Sequence, residues 1–231
     1  MAIYWGSRYS NYMMRSMRDD QESSGRGSQV TRTTARQTLS QRLWGLDWSR
    51  ELPWAFDGAT LEHGTFDDAL PFMEEHYPRI FGVESERFFF EGMTDAKRRF
   101  GDELDVFVFR SEGRTVGVAT GHPTDWSSYY VRTFALLPEC RERRWCSEWV
   151  QRLGKTLGEA GCDRWEADCS PANRAVMRLL VSNGSLITAN ISSERWGQMV
   201  RFTKFLREDA EKAFRRQFIY VPAFGRNPQP R

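Results

Sequence analysis

The sequence has little of what marks a specialised class. It has four cysteines in 231 residues, Cys140, Cys146, Cys162 and Cys169, and no two form a CxxC pair. That excludes the common structural zinc spacing. A chain this long buries roughly two-thirds of its unfolded surface, so no disulfide framework is expected. His63 and His76 stand beside Glu62 and Glu74–Glu75, but the spacing fits no compact ligand motif, and no metal is expected. No apolar run approaches the ~20 residues of a membrane span, and residues 1–5 are too short an apolar start for an export signal. The expectation is a cytoplasmic protein with no membrane partner. Net charge is only +2. Residues 1–50 hold eight arginines against four acids, and the rest of the chain is slightly acidic. Such a body lacks the basic footprint of a dedicated nucleic-acid binder.

What is present divides the chain in three. Residues 1–42 are a basic extension, and Asp19–Gln41 is rich in Ser, Thr, Gln, Arg and Gly. Such a composition buries too little surface to offset its ordering entropy, so this part is expected to be largely disordered. Tyr4, Trp5, Tyr9, Tyr12, Met13, Met14 and Met17 give residues 1–17 adhesive points. They either dock on the body or a partner or are incidental. Residues 43–221 form one domain, and 222–231 are a Pro-rich tail. Within the domain, Ala59–Gly64 reads as a strand and Phe66–Ile80 as a helix with Thr65 as its cap. Ser85–Phe100 reads as a second helix. Asp105–Arg110, Thr115–Gly121 and Tyr129–Leu137 alternate as strands joined by short turns, with His122–Asp125 as the second turn. Trp145, Trp149, Leu153 and Leu157 recur at four-residue steps, predicting a helix over Arg143–Ala160 capped by Gly161. Arg164–Cys169 is a strand and Arg174–Ser182 a helix. Ser185–Ile191 and Met199–Phe205 are strands, and Leu206–Gln217 is a last helix. This order specifies an α/β (α+β) fold, a mixed sheet with helices on its faces.

The stretch that carries chemistry runs from Leu136 to Cys146, a strand passing through a tight turn into a helix. The first N–H groups of a helix lack internal partners and carry the positive end of its dipole, which suits an anion such as phosphate. Arg141, Arg143 and Arg144 crowd that terminus; alone, they also read as a solvated basic turn. The arrangement, strand–Pro138-x-x-Arg141–helix and then strand–Asn173–helix–Gly184, resembles the GNAT superfamily of acyl-CoA-dependent N-acyltransferases. The family's phosphate motif is Arg/Gln-x-x-Gly-x-Gly/Ala. Here that register is Arg141-Glu142-Arg143-Arg144-Trp145-Cys146. Arg141 matches, Arg144 replaces the first glycine, and Cys146 replaces the small last residue. Downstream, Asn173 and Gly184 keep the family's separation. Leu180 stands where the family has a tyrosine, and Ser185 where it has a phenylalanine.

The resemblance covers roughly residues 59–206. It implies a mostly antiparallel sheet with a splayed central strand pair, and acetyl-CoA or another acyl-CoA as co-substrate. The pantetheine arm would lie in the splay against the backbone of Ala135, Leu136 and Leu137. The pyrophosphate would sit on the N–H groups of Arg143–Cys146, with Arg144 keeping helical dihedrals. Asn173 would contact the pantetheine or order the following helix. The family moves an acyl group directly to an amine, which needs a base. Candidates are His122, Asp125, Glu166 and Asp168. Leu180 cannot protonate a departing thiolate, so either another group serves, with Tyr129, Tyr130 and the Cys169 thiol as candidates, or the thiolate leaves unassisted, or the protein is not a catalyst. Glu91, Trp126 and Tyr129 would line the acceptor side, with the run Phe88–Phe90 near it; such rings also read as core. Acceptors are amines of a small molecule or peptide. Alternatives are a nucleic-acid modifier reaching its substrate through the basic extension, a non-catalytic CoA-binding module, and an enzyme fed by an acyl-carrier protein. A monomer or homodimer fits equally.

Overall fold

The computed structural model describes residues 2–4, 37–81, 99–193 and 196–218. The expected helix Ser85–Phe100 lies outside these except at its last two residues. In chain order the elements are β1 (Ala2–Tyr4), α1 (Leu39–Trp44), α2 (Trp48–Glu51), β2 (Trp54–Phe56), β3 (Ala59–Gly64), α3 (Phe66–Phe81), β4 (Asp105–Ser111), β5 (Arg114–Pro123) and β6 (Ser128–Leu136). A 3-10 turn at Pro138–Cys140 leads to α4 (Trp145–Glu159), then β7 (Arg164–Cys169), α5 (Arg174–Ser182), β8 (Leu186–Ser193), β9 (Gly197–Phe205) and α6 (Glu208–Phe218).

Eight strands form one sheet in the order β2-β3-β4-β5-β6-β7-β9-β8, with β1 added on β6. All described pairings are antiparallel except β6 with β7. This is the mixed, mostly antiparallel sheet with helices on both faces that the sequence implies.

One face carries α4. Its Trp145, Trp149, Leu153 and Leu157 are buried, as the four-residue period requires. Trp149 meets Phe134 of β6 at 5.0 Å and Phe107 of β4 at 5.9 Å between ring centroids. Trp48 of α2 packs edge-on to the same Phe107. α5 lies beside α4, because Asn183 at its end bonds Ser147 and Gln151. On the opposite face, the Tyr77 hydroxyl of α3 donates to Thr133 on β6 at 3.0 Å.

Between residue 37 and β3 lie three elements that hydrophobic periodicity does not announce. α1 is nucleated by a capping box of Thr38 and Gln41 and ended by Gly45 in the left-handed region. It therefore reaches back across residue 42. Its Ser40 hydroxyl donates to the buried Asp105 carboxyl. α2 and β2 are three or four residues long, too short for a period to show.

Two boundaries differ with consequence. β5 continues to Pro123, so His122 is a strand residue paired with Tyr130 and not part of a turn. Its ring is buried against Phe100 and Tyr130, which extends the ladder by two residues. α4 begins at Trp145, because Arg144 has φ 64° and cannot be helical.

Candidate active site

The parallel pairing of β6 with β7 covers only Ser128–Tyr130 against Arg164–Glu166. β6 runs on to Leu136 and β7 to Cys169, so the two strands part beyond Tyr130. A parting strand exposes backbone N–H and C=O groups that must find another partner. At Thr133–Ala135 that partner is β1.

At the far end of β6 the chain turns into α4. Glu142 and Arg144 both have positive φ, 65° and 64°. A left-handed residue beside helical ones aims successive N–H groups to one side, a concavity that suits an anion. The expectation that Arg144 keeps helical dihedrals is thus corrected. Its backbone has the conformation a glycine adopts readily, and the family's motif has glycine there. A side chain in this region costs about 1–2 kcal/mol. No side chain caps the start of α4, so its first N–H groups stay available. Arg141 adds a buried Nε with no hydrogen-bond partner among the described residues. The loop is held from outside: Trp145 Nε1 donates to the carbonyl of Asp57 at 2.9 Å, and the Arg143 guanidinium lies over the Trp145 ring. An orphaned arginine nitrogen, an uncapped helix start and a left-handed turn fit a pyrophosphate. Cys146 is buried, which pushes its thiol well above its ordinary pKa, so it serves as a small packing residue.

Where β6 and β7 still pair, their charged side chains form one cluster. Arg201 on β9 donates to both oxygens of Asp168 at 2.7 and 2.9 Å and to Glu166 at 3.3 Å. Arg164 bonds Glu166 and Asp125. The Tyr130 hydroxyl donates to Asp168 at 3.1 Å. Burial first, then the Asp168 charge, raise the Tyr130 pKa well above 10, so the phenol keeps its proton. Asp125 also accepts from Ser127 and Ser128 and organises the β5–β6 turn. Burial acts to raise its pKa, but these bonds and Arg164 outweigh that and lower it.

His122 is 9% exposed, and its Nδ1 has no partner among the described residues. Burial and then the Arg132 charge push its pKa down to about 3. The ring is neutral at pH 7, and a conjugate acid that strong makes it a weak base.

The other expected residues divide. Ala135 and Leu136 pair with β5, while the Leu137 N–H donates to Val116. Asn173 caps α5 by accepting from Val176, which favours its ordering role. Leu180 is buried. Burial and then Asp168 push the Cys169 thiol up to about 12. Trp126 is 82% exposed on the β5–β6 turn. Tyr129 is fully buried beside Trp44, and its hydroxyl lies over Gly121. It is therefore core and does not line an acceptor site. Glu91 and Phe88–Phe90 lie outside the described residues. Sequence reasoning missed Arg201. The alternation of β9 shows it as a polar position, but only the register with β7 sets it opposite Asp168.

Comparison with known proteins supports this fold. The profile of the acetyltransferase (GNAT) family matches residues 67–184. No curated protein matches the chain. Among solved structures, yncA of Salmonella typhimurium, determined with its cofactor acetyl-CoA, aligns at TM-score 0.52 and 16% identity over 66% of this chain and 96% of its own. An N-acetyltransferase from Staphylococcus aureus Mu50 aligns at 0.52 and 14% over 65% and 100%. Ard1 from Thermoplasma volcanium aligns at 0.50 and 17% over 66% and 100%. At these identities the structures establish the fold. With a family profile spanning half the sequence, the chain belongs to the acetyltransferase (GNAT) family, whose members use acyl-CoA as co-substrate.

Proposed function

We propose that the protein is an N-acyltransferase that moves an acyl group from acyl-CoA to an amine of a small molecule or peptide. The observation that carries this reading is the parting of β6 from β7 directly below a turn suited to pyrophosphate. Bound acyl-CoA supplies the activated acyl group. Arg141 and the N–H groups at the start of α4 hold its pyrophosphate, and the edge of β6 around Ala135 aligns its pantetheine.

The amine nitrogen attacks the thioester carbon and gives its proton to water, the C–S bond breaks and the sulfur takes a proton from solvent. Tyr130 is the residue best suited to hydrogen-bond the departing sulfur. Its hydroxyl is protonated at neutral pH, stands at the point where the strands part, and is oriented by Asp168. It takes the place left by Leu180. Asp168 acts as a positioning residue, since the Arg201 fork occupies its carboxylate. Glu166 and Asp125 are bound into the same cluster. His122 is neutral and suited to accept or donate a hydrogen bond from the incoming amine.

The test is calorimetric titration with acetyl-CoA followed by a thiol-release assay over a panel of small amines and peptides. Saturable binding with thiol release on at least one amine is expected. Tyr130→Phe should lower kcat with little change in donor affinity. Binding without turnover on any amine would identify a non-catalytic CoA module, and no binding would overturn the donor assignment.

A further inference from the structure

The donor groove has an occupant from the chain itself. β1 lies antiparallel along β6, with Ala2 opposite Ala135, Ile3 opposite Phe134 and Tyr4 opposite Thr133. It also approaches β7 and α3, so it sits in the gap the two strands leave. We propose that residues 2–4 are a strap that fills the pantetheine channel and must withdraw before acyl-CoA binds. This rests on the donor site assigned above.

The argument is one of shared backbone. Past Tyr130 the outer edge of β6 has lost β7, and an unpaired edge accepts any extended segment that offers backbone groups. β1 uses the edge of Ala135, which pantetheine would also need. One edge cannot pair with both, so strap and donor exclude each other. Three residues of strand span about 10 Å, enough to block the channel and short enough to leave readily. A closed form favoured tenfold over the open one weakens apparent donor affinity about tenfold, because only the open fraction binds.

The experiment compares the full-length protein with the full-length double variant Ile3→Pro, Tyr4→Pro by calorimetric titration with acetyl-CoA. Proline has no N–H to donate. Successive strand residues turn their N–H groups to opposite sides, so replacing two in a row removes at least one donor facing β6. Thermal unfolding of both proteins checks that the body stays folded. Amide exchange of residues 2–4 and 133–135 is followed with and without acetyl-CoA. The expected result is about tenfold tighter binding by the variant, with residues 2–4 of the wild type losing protection when the donor is added. Equal affinities with unchanged protection would overturn the strap. Weaker binding by the variant would overturn it as well, by making residues 2–4 part of the donor site. If neither protein binds acetyl-CoA, the donor reading itself fails and the gate fails with it.

Discussion

β6 is one continuous strand with two different neighbourhoods. Its first three residues pair with β7, and around them Arg164, Glu166, Arg201, Asp168 and Tyr130 interlock across three strands. Its later residues, Phe134 and Ala135, are apolar and fully buried, and nothing from β7 pairs with them. The difference teaches where a sheet can be opened. A charged ladder fixes the strands at one end, and beyond its last member the backbone edge is free for another occupant. The rigid half holds Tyr130 against Asp168, and the open half holds the edge along which β1 lies. A site for acyl transfer needs both properties within a few residues.

Breaking the closed half has the largest expected effect. Arg201→Ala leaves the Asp168 carboxylate, 1% exposed, with only Tyr130 as a described partner. Removing one member of such a buried pair costs about 3–5 kcal/mol. Urea unfolding should show that loss, and a loss below about 1 kcal/mol would mean that water compensates the charge.

The end of the open half is tested next. Arg141→Ala removes the orphaned Nε that the turn offers an anion. One charge-assisted bond is worth about 1.5–3 kcal/mol, so acetyl-CoA affinity should fall roughly 10- to 100-fold while unfolding is unchanged. Unaltered affinity would place the pyrophosphate elsewhere.

Behind the closed half, burial raises the Asp105 pKa to about 6, against the bonds from Ser40 and its neighbours that lower it. The folded state therefore holds this proton more tightly than the unfolded chain. Its contribution to stability is full below about pH 4 and is lost as pH rises through 6. Asp105→Asn should remove that slope and stabilise the protein at pH 8 by about 1–3 kcal/mol. Parallel pH–stability curves for variant and wild type would refute the assignment.

The smallest effect sharpens the open half. Arg144→Gly relieves a left-handed residue and should stabilise the fold by about 1 kcal/mol, whereas Arg144→Ala should not. Thermal unfolding of the two variants separates backbone strain from loss of the side chain.

The elements that hold the site were legible because they are long and periodic. The α4 stripe of Trp145, Trp149, Leu153 and Leu157 and the alternation of β4 to β6 follow from residue spacing alone. The motif order from Pro138 to Gly184 was legible as well, even with Arg144 and Leu180 in unfamiliar places. The short α1, α2 and β2 were not, because a capping box and two aromatic residues give too little period to read. His122 looked like a turn residue because Gly121 and Pro123 flank it, yet its burial against Phe100 and Tyr130 keeps it in the strand.

The sequence by itself determined the order of strands and helices from β3 onward among the described residues, the helix start suited to an anion, and the absence of a tyrosine at Leu180. These depend on neighbours a few residues apart. Tertiary structure decided that Arg201 meets Asp168, that Arg144 takes a left-handed backbone, and that residues 2–4 lie along Ala135. Each depends on strand register or loop closure between segments 30 or more residues apart, or on the fixed ends of a turn. Local spacing carries no record of where such distant segments meet.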